Sequence, residues 1–136
     1  MPALFALEQH SALQGIKSEL LPTELLFAFL DDIYVMCRPE RVKAVHDLVA
    51  RNLEAHCGIR CHLGKTKIYN KAGVEPPGVA ELQRQAEEQG STERIWVGDQ
   101  TLPGELQGLV VLGSPIGTQD FATEHTRKRL KEKKRL

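Results

Sequence analysis

The spacing of apolar residues divides the first part of the chain into a helical segment and an extended one. Residues 3 to 20 repeat apolar side chains at helical intervals, which predicts an amphipathic helix that stops near Pro22. From residue 25 to residue 37 the pattern changes to two short apolar runs, rich in aromatic and β-branched residues, around the polar pair Asp31 and Asp32. Two such runs predict a buried β-hairpin.

Turn and capping signals delimit the next segments. Pro39 at a first helical turn and Gly58 just past the last apolar position predict a helix over residues 39 to 56. Apolar and polar positions alternate over residues 59 to 63, and Ile68 and Tyr69 follow after Gly64-Lys-Thr-Lys, which predicts a short half-buried strand or a pair of strands.

The second half of the chain is less regular. Residues 71 to 105 are interpreted as a surface insertion, with a polar helix over 79 to 89 and a small hairpin over 94 to 104. The apolar run at 109 to 112 predicts a strand, and the turn-forming residues that follow it end this strand. Thr118 is the predicted N-cap of a last helix.

Length and composition narrow the class of protein. Of the 136 residues, 41% are apolar and 26% are charged, which is typical of a globular protein and excludes a disordered or fibrous chain. The length corresponds to one domain or to part of one.

The charge is neutral in total but unevenly distributed. Eighteen Lys and Arg balance eighteen Asp and Glu, which excludes a uniformly basic nucleic-acid-binding protein. Residues 127 to 135 nevertheless carry seven of the basic residues and one acidic residue, a charge of +6, so that residues 1 to 126 carry −6. The sequence therefore predicts a basic C-terminal helix on an otherwise acidic chain.

Membrane-span and signal-peptide patterns, together with the cysteine count, bear on the expected location of the protein. No apolar run reaches the roughly 18 residues of a membrane span, and the sequence does not begin with a signal-peptide pattern. The three cysteines are an odd number, which favours reduced thiols. We therefore expect an intracellular protein, nuclear or cytoplasmic, with no membrane partner.

The pair Asp31 and Asp32 carries the strongest indication of chemistry. Burying an unpaired carboxylate costs several kcal/mol and adjacent carboxylates repel each other, while the flanking apolar runs contain no Lys or Arg. A hard divalent cation such as Mg²⁺ would compensate both effects. The alternative is a solvated hairpin turn, although Asp-Asp fits poorly the positive φ angles that a two-residue turn requires. On these residues alone, both interpretations stay open.

The order of several short motifs resembles the palm of a reverse transcriptase, most closely that of non-LTR retrotransposons. Phe29-Leu30-Asp31-Asp32 is similar to the aromatic-X-Asp-Asp hairpin of the family, and helix 39 to 56 to the palm helix that follows it. Lys65-Thr66 resembles the family's Lys-Thr motif, and Leu112-Gly113 its primer-grip Leu-Gly motif. The segment beginning at Pro2 resembles the helix after the template-contacting Gln-Gly motif. The resemblance covers residues 2 to 117, and residues 71 to 105 have no counterpart in it.

The resemblance implies an α+β fold, a partial polymerase palm in which an antiparallel sheet with the Asp-Asp hairpin packs on two helices. It also divides the chain into a palm portion, an insertion or linker, a primer-grip-like strand and a basic helix that starts the thumb. The corresponding residues are 1–70, 71–105, 106–117 and 118–136.

The resemblance further implies template-directed nucleotidyl transfer to a primer 3′-hydroxyl by two-metal-ion catalysis. Asp31 and Asp32 would hold Mg²⁺, for which Mn²⁺ can substitute. Lys65 would lie near the triphosphate, a role for which Lys67 competes. Leu112 and Gly113 would position the primer terminus. Contacts to nucleic-acid phosphate are expected from three residues of the last helix, Arg127, Lys128 and Lys131.

Partners follow from the same resemblance. They are an RNA template, a DNA primer and deoxynucleoside triphosphates in a longer protein. The strand with the family's third aspartate and the fingers are missing from this sequence. We therefore expect the chain to be a palm fragment with little or no polymerase activity of its own.

Two other functions compete with a polymerase fragment. His56, Cys57, Cys61 and His62 are soft metal ligands, which suggests a small zinc-binding module, although finger-type sites separate their ligand pairs by a dozen or more residues. The second alternative is a non-enzymatic protein that uses the basic helix to bind nucleic acid or an acidic partner.

Overall fold

The computed structural model describes residues 2–29, 32–60, 63–111 and 114–134. Over these ranges the fold is α+β, with four α-helices and two small antiparallel sheets, which confirms the predicted class. The elements are α1 (Pro2–Glu19), β1 (Leu25–Phe29), β2 (Asp32–Met36), α2 (Val42–Cys57), α3 (Val79–Glu88), β3 (Gly108–Val111), β4 (Ser114–Gly117) and α4 (Gln119–Lys134). Short 3₁₀ turns at Pro39–Arg41, Leu63–Lys65 and Gly104–Leu106 join them.

The chain forms two compact units. The first consists of residues 1–63 and 76–82, and the second of residues 64–75 and 83–136. The domain boundaries predicted after residues 70, 105 and 117 stay predictions.

In the first unit, α1 packs against α2. Ala12 and Ile16 of α1 and Val45 and Leu48 of α2 are buried, which follows from their helical spacing. Gly15 lies where α1 comes closest to Asn52 of α2, because a Cβ atom at position 15 would meet the side chain of that asparagine.

The helix predicted over residues 39 to 56 forms as the 3₁₀ turn Pro39–Arg41 followed by α2, which ends at Cys57. Pro39 opens the 3₁₀ turn before it, a position that needs no backbone N–H donor. Gly58 ends it in the left-handed conformation, with φ of 64°, which glycine adopts without steric cost.

Strands β1 and β2 form the predicted hairpin. Their register pairs Leu25 with Met36 and Phe29 with Asp32. The prediction that the hairpin is buried is wrong for the side chains described, because Leu25, Phe27 and Met36 are 49%, 50% and 60% exposed. The sequence pattern correctly indicated strands, but a two-stranded sheet with no further strand among the described residues leaves both of its faces incompletely covered.

The second unit departs most from the predictions. The expected strand over residues 59 to 69 is absent where the structure describes that segment, and Leu63–Lys65 is a 3₁₀ turn instead. The small hairpin over 94 to 104 does not form either. Ile68 instead pairs with Trp96 in a parallel bridge, in which the Ile68 amide donates to the Ile95 carbonyl at 2.8 Å. These two segments are distant in sequence, so local alternation could not predict their pairing.

Helix α3 confirms the polar helix predicted within the insertion. Val79 and Leu82, which belong to the first unit, are fully buried, and so is Ala86 in the second. Within the second unit, the Gln83 side chain accepts a hydrogen bond from the Ile95 amide at 2.9 Å.

Strands β3 and β4 pair antiparallel and lead into α4. The strand predicted at 109 to 112 is confirmed as β3, but the segment after it pairs back as β4 instead of only ending the strand. Thr118 caps α4 as predicted, because its Oγ1 accepts a hydrogen bond from the Phe121 amide at 3.2 Å.

Candidate metal-binding hairpin and basic helix

The described member of the aspartate pair, Asp32, lies at the tip of the β1–β2 hairpin. It is the first residue of β2 and is paired with Phe29, the last residue of β1. Asp31 lies outside the described residues. Asp32 is exposed, and its Oδ2 accepts a hydrogen bond of 3.3 Å from the Tyr34 hydroxyl, two residues along the same face of β2.

A buried ion pair holds the opposite end of the hairpin. The side chain of Glu24, directly before β1, is only 2% exposed. Its two carboxylate oxygens accept hydrogen bonds of 3.1 Å from Nε and Nη2 of Arg41, and Oε1 also accepts one of 2.8 Å from the Leu21 amide. The fork of a guanidinium matches the two oxygens of a carboxylate. Glu24 therefore ties the start of β1 to the turn that precedes α2.

The ion pair affects the titration of the groups around it. The hydrogen bonds from Arg41, supported by the Leu21 amide, outweigh the effect of burial and lower the pKa of Glu24. Burial, together with the negative charge of Glu24, raises the pKa of the Cys37 thiol. A smaller fraction of Cys37 is therefore thiolate at neutral pH than of a free cysteine, and the thiolate is the nucleophile.

The sequence did not indicate this ion pair. Seventeen residues separate Glu24 from Arg41, with the whole hairpin between them. The only signal is an acidic residue directly in front of an apolar strand, and that signal does not identify a partner.

Two lysines compete for the predicted role at the triphosphate, and the structure distinguishes their surroundings. Lys65 ends the 3₁₀ turn and is exposed, with no hydrogen-bond partner among the described residues. Lys67 donates to the Arg94 carbonyl at 2.8 Å and pairs with Glu93 at 3.3 Å. Both lysines belong to the second unit, whereas Asp32 belongs to the first. Of the two, Lys65 is the one whose ammonium group is available to a ligand.

Helix α4 presents the predicted basic residues to solvent. Arg127, Lys128 and Lys131 are all exposed and lie within about 100° of each other around the helix. Arg127 pairs with Glu124 at 3.3 Å, which reduces its availability to another anion. The acidic Asp120 in the first turn and the basic residues in the last turns both match the helix dipole.

Several of the remaining predicted site residues lie outside the described ranges. Leu112 and Gly113, the predicted primer contacts, lie outside the described residues, as do Cys61 and His62 of the alternative zinc site. His56 and Cys57 are the last residues of α2, one exposed and the other half-buried. Across the ranges that the structure describes, no three His, Cys, Asp or Glu side chains form a group that could hold a metal ion.

Comparison with known proteins leaves the chain without an assigned family. No protein-family model, curated protein or solved structure matches the chain.

None of the helices in the described ranges has the length and apolar character needed to cross a membrane.

Proposed function

We propose that the chain is part of a reverse-transcriptase-like palm, in which Asp31 and Asp32 bind the divalent cations used for nucleotidyl transfer. The observation that supports this proposal is the register of the hairpin. It pairs Phe29 with Asp32, so that Asp32 is the first residue of β2, opposite the last residue of β1. An aromatic-X-Asp-Asp hairpin is one of the ordered motifs on which the resemblance rests.

The described part of the tip fits a hard cation. Asp32 is exposed, and one of its two carboxylate oxygens has only a 3.3 Å hydrogen bond from Tyr34. Carboxylate oxygens that are accessible in this way are suitable ligands for Mg²⁺ or Mn²⁺. A bound ion would activate the primer hydroxyl and neutralise charge on the triphosphate.

The remaining residues would support the same reaction. Lys65 carries an available ammonium group, which would neutralise charge on the leaving pyrophosphate. Lys128 and Lys131 would contact the phosphates of a template–primer duplex. The Glu24–Arg41 ion pair would keep the base of the hairpin fixed, so that the carboxylates at its tip hold their direction. The reaction also needs a third carboxylate and the fingers, which a longer protein would supply.

Paramagnetic NMR tests metal binding at the tip. Mn²⁺ added to the ¹⁵N-labelled chain should broaden the amide signals of residues 29 to 33 first, because broadening falls steeply with distance from the ion. The effect should be lost in Asp31→Asn and Asp32→Asn but retained in the control Glu40→Gln, which removes an exposed carboxylate of the same unit. Equal broadening in the two Asn variants would contradict the metal site.

Nucleic-acid binding is tested separately. Fluorescence anisotropy with a labelled RNA–DNA hybrid should show salt-dependent binding. Lys128→Gln combined with Lys131→Gln should reduce the slope of log affinity against log salt by about 1.8, which corresponds to two phosphate contacts. Lys71→Gln, at an exposed lysine elsewhere in the second unit, is the matched control and should leave the slope unchanged. An unchanged slope in the double variant would remove α4 from the proposal.

Primer extension tests whether the chain acts alone. With Mg²⁺, an RNA template and a DNA primer, we expect no synthesis. Template-dependent extension that disappears in Asp31→Asn would show that the chain is itself a polymerase and would overturn the interpretation as a fragment.

A further inference from the structure

A groove lies between β4 and α4, within the second unit. Its volume is about 350 Å³, at the lower end of the range for binding pockets, roughly 300 to 1,000 Å³. The residues that line it are Ser114, Pro115, His125, Thr126, Arg129, Leu130 and Lys133. None of the site residues discussed above belongs to this set.

The charge of the groove is of one sign. Arg129 and Lys133 line it one helical turn apart, His125 lies one turn before Arg129, and no carboxylate is among its described lining residues. Because residues 1 to 126 carry a net charge of −6, this concentration of positive charge is a local feature. The groove therefore attracts an anionic partner.

The groove also has an apolar component. Leu130 is an apolar residue among mostly polar neighbours at this end of α4, and it is 56% exposed. Pro115 of β4 provides a second apolar surface across the groove. The described lining contains neither an aromatic ring on which a base could stack nor an Asn or Gln side chain that could read a base edge. An aliphatic side chain flanked by carboxylates fits these walls better than a nucleotide does.

We propose that the groove binds an acidic peptide segment of another protein, with the pattern acidic–aliphatic–acidic in an extended conformation. Arg129 and Lys133 are separated by about 6 Å along the helix axis, since a helix rises about 1.5 Å per residue. Side chains two residues apart on a strand are separated by about 6.6 Å and point to the same side. The two carboxylates then face α4, and the aliphatic side chain between them faces Pro115.

This groove is distinct from the basic surface proposed to contact nucleic acid. Arg129 lies about 200° around the helix from Lys131, so the two residues are on nearly opposite sides of α4. The helix thus offers one charged surface and one groove with mixed apolar and basic character. Peptide binding at the groove does not depend on the proposed polymerase function.

Peptide binding provides the test. A fluorescein-labelled peptide Gly-Ser-Gly-Asp-Leu-Asp-Gly-Ser-Gly is titrated with the full chain and followed by anisotropy. We expect saturable binding that weakens about tenfold in the double variant Arg129→Gln and Lys133→Gln, and about as much when the Leu of the peptide, which faces Pro115, is replaced by Ser. The double variant Lys17→Gln and Lys71→Gln, at two exposed lysines outside α4, removes the same charge as a matched control and should bind as the wild type does. These residues are exposed, and far-UV circular dichroism checks that each variant is folded.

Several outcomes would overturn the proposal. They are absence of saturable binding up to about 1 mM chain, equal binding of a peptide with Asn in place of both Asp residues, and equal loss in the two double variants. A fourth is binding of a labelled oligothymidine that requires Arg129 and Lys133 while the peptide does not, since the groove would then be a nucleic-acid site.

Discussion

Gly15 offers a direct test of how α1 packs on α2. A Cβ atom at this position would lie 3.2 Å from Cγ of Asn52 and closer still to its Oδ1. Asn52 cannot move away freely, because it is buried and its Nδ2 donates a hydrogen bond of 2.9 Å to the Leu48 carbonyl. The substitution Gly15→Ala therefore sets a favourable backbone effect against an unfavourable contact.

The two effects can be compared in magnitude. Glycine in the interior of a helix costs about 1 kcal/mol relative to alanine, so Gly15→Ala would stabilise the helix by that amount if the space were open. Displacing Asn52 breaks its hydrogen bond and leaves a buried amide unsatisfied, at a cost of about 1 to 3 kcal/mol. We expect the free energy of unfolding to fall by about 1 kcal/mol in the wild-type background. In the Asn52→Ala background the side chain that a Cβ atom would meet is gone, and Gly15→Ala should raise the free energy of unfolding by about 1 kcal/mol.

A double-mutant cycle measures the difference between these backgrounds. Because the two units need not unfold together, the readout is native-state hydrogen exchange at the amides of Val45 and Leu48, which report on α2 itself. The expected coupling between positions 15 and 52 is about 2 kcal/mol. The reasoning fails if Gly15→Ala stabilises the wild-type chain, or if the coupling is smaller than about 0.5 kcal/mol.

Three further predictions concern a helix cap and two titratable groups. Thr118→Ala removes the acceptor of the Phe121 amide and should lower the stability of α4, measured by hydrogen exchange, by about 0.5 to 2 kcal/mol. Thr118→Ser keeps a hydroxyl acceptor and should retain the stability of the wild-type helix. Burial lowers the pKa of His46 below its usual value of 6.5, so the unfolded chain binds the proton first. Stability measured by urea unfolding should be complete above pH 6.5 and fall as the pH decreases through the folded pKa, and His46→Gln should remove that part of the dependence. The hydrogen bonds from Arg41 lower the pKa of Glu24, whose unperturbed value is 4.5. The stabilisation by ionised Glu24 is therefore present above pH 4.5 and should be lost as the pH falls through the pKa of the folded chain. The variant Glu24→Gln should lack this part of the pH dependence. An acid-unfolding profile that is unchanged in the variant would contradict the ion pair.

The elements that could be predicted from the sequence have local causes. Pro39 and Gly58 bracket α2 because each suits a backbone conformation that the start or end of a helix requires. Thr118 identifies the start of α4 because a cap acts within a single turn. The two apolar runs around Asp31 and Asp32 likewise predicted β1 and β2 correctly.

The elements that could not be predicted depend on partners distant in sequence. The bridge between Ile68 and Trp96 joins segments separated by α3, so the patterns that predicted extended chain in each segment could not show that the two pair with each other. Glu24 and Arg41 are similarly separated by the hairpin. At the candidate site, the sequence indicated Asp32 and Lys65 as residues of interest, but it could not show that Lys67 is already held by Glu93 and the Arg94 carbonyl.

The exposure of the hairpin changes the physical argument for a metal ion. A buried aspartate pair would need a cation to offset the cost of desolvation. Asp32 is exposed and Phe27 is half exposed, so water already solvates the described carboxylate and no cation is needed to stabilise the fold. A solvated carboxylate binds Mg²⁺ weakly, because the ion gives up its own hydration reluctantly. Removing the metal should therefore leave the stability of the chain unchanged, and tight binding would require a partner that covers the apolar face of the hairpin and adds a further ligand.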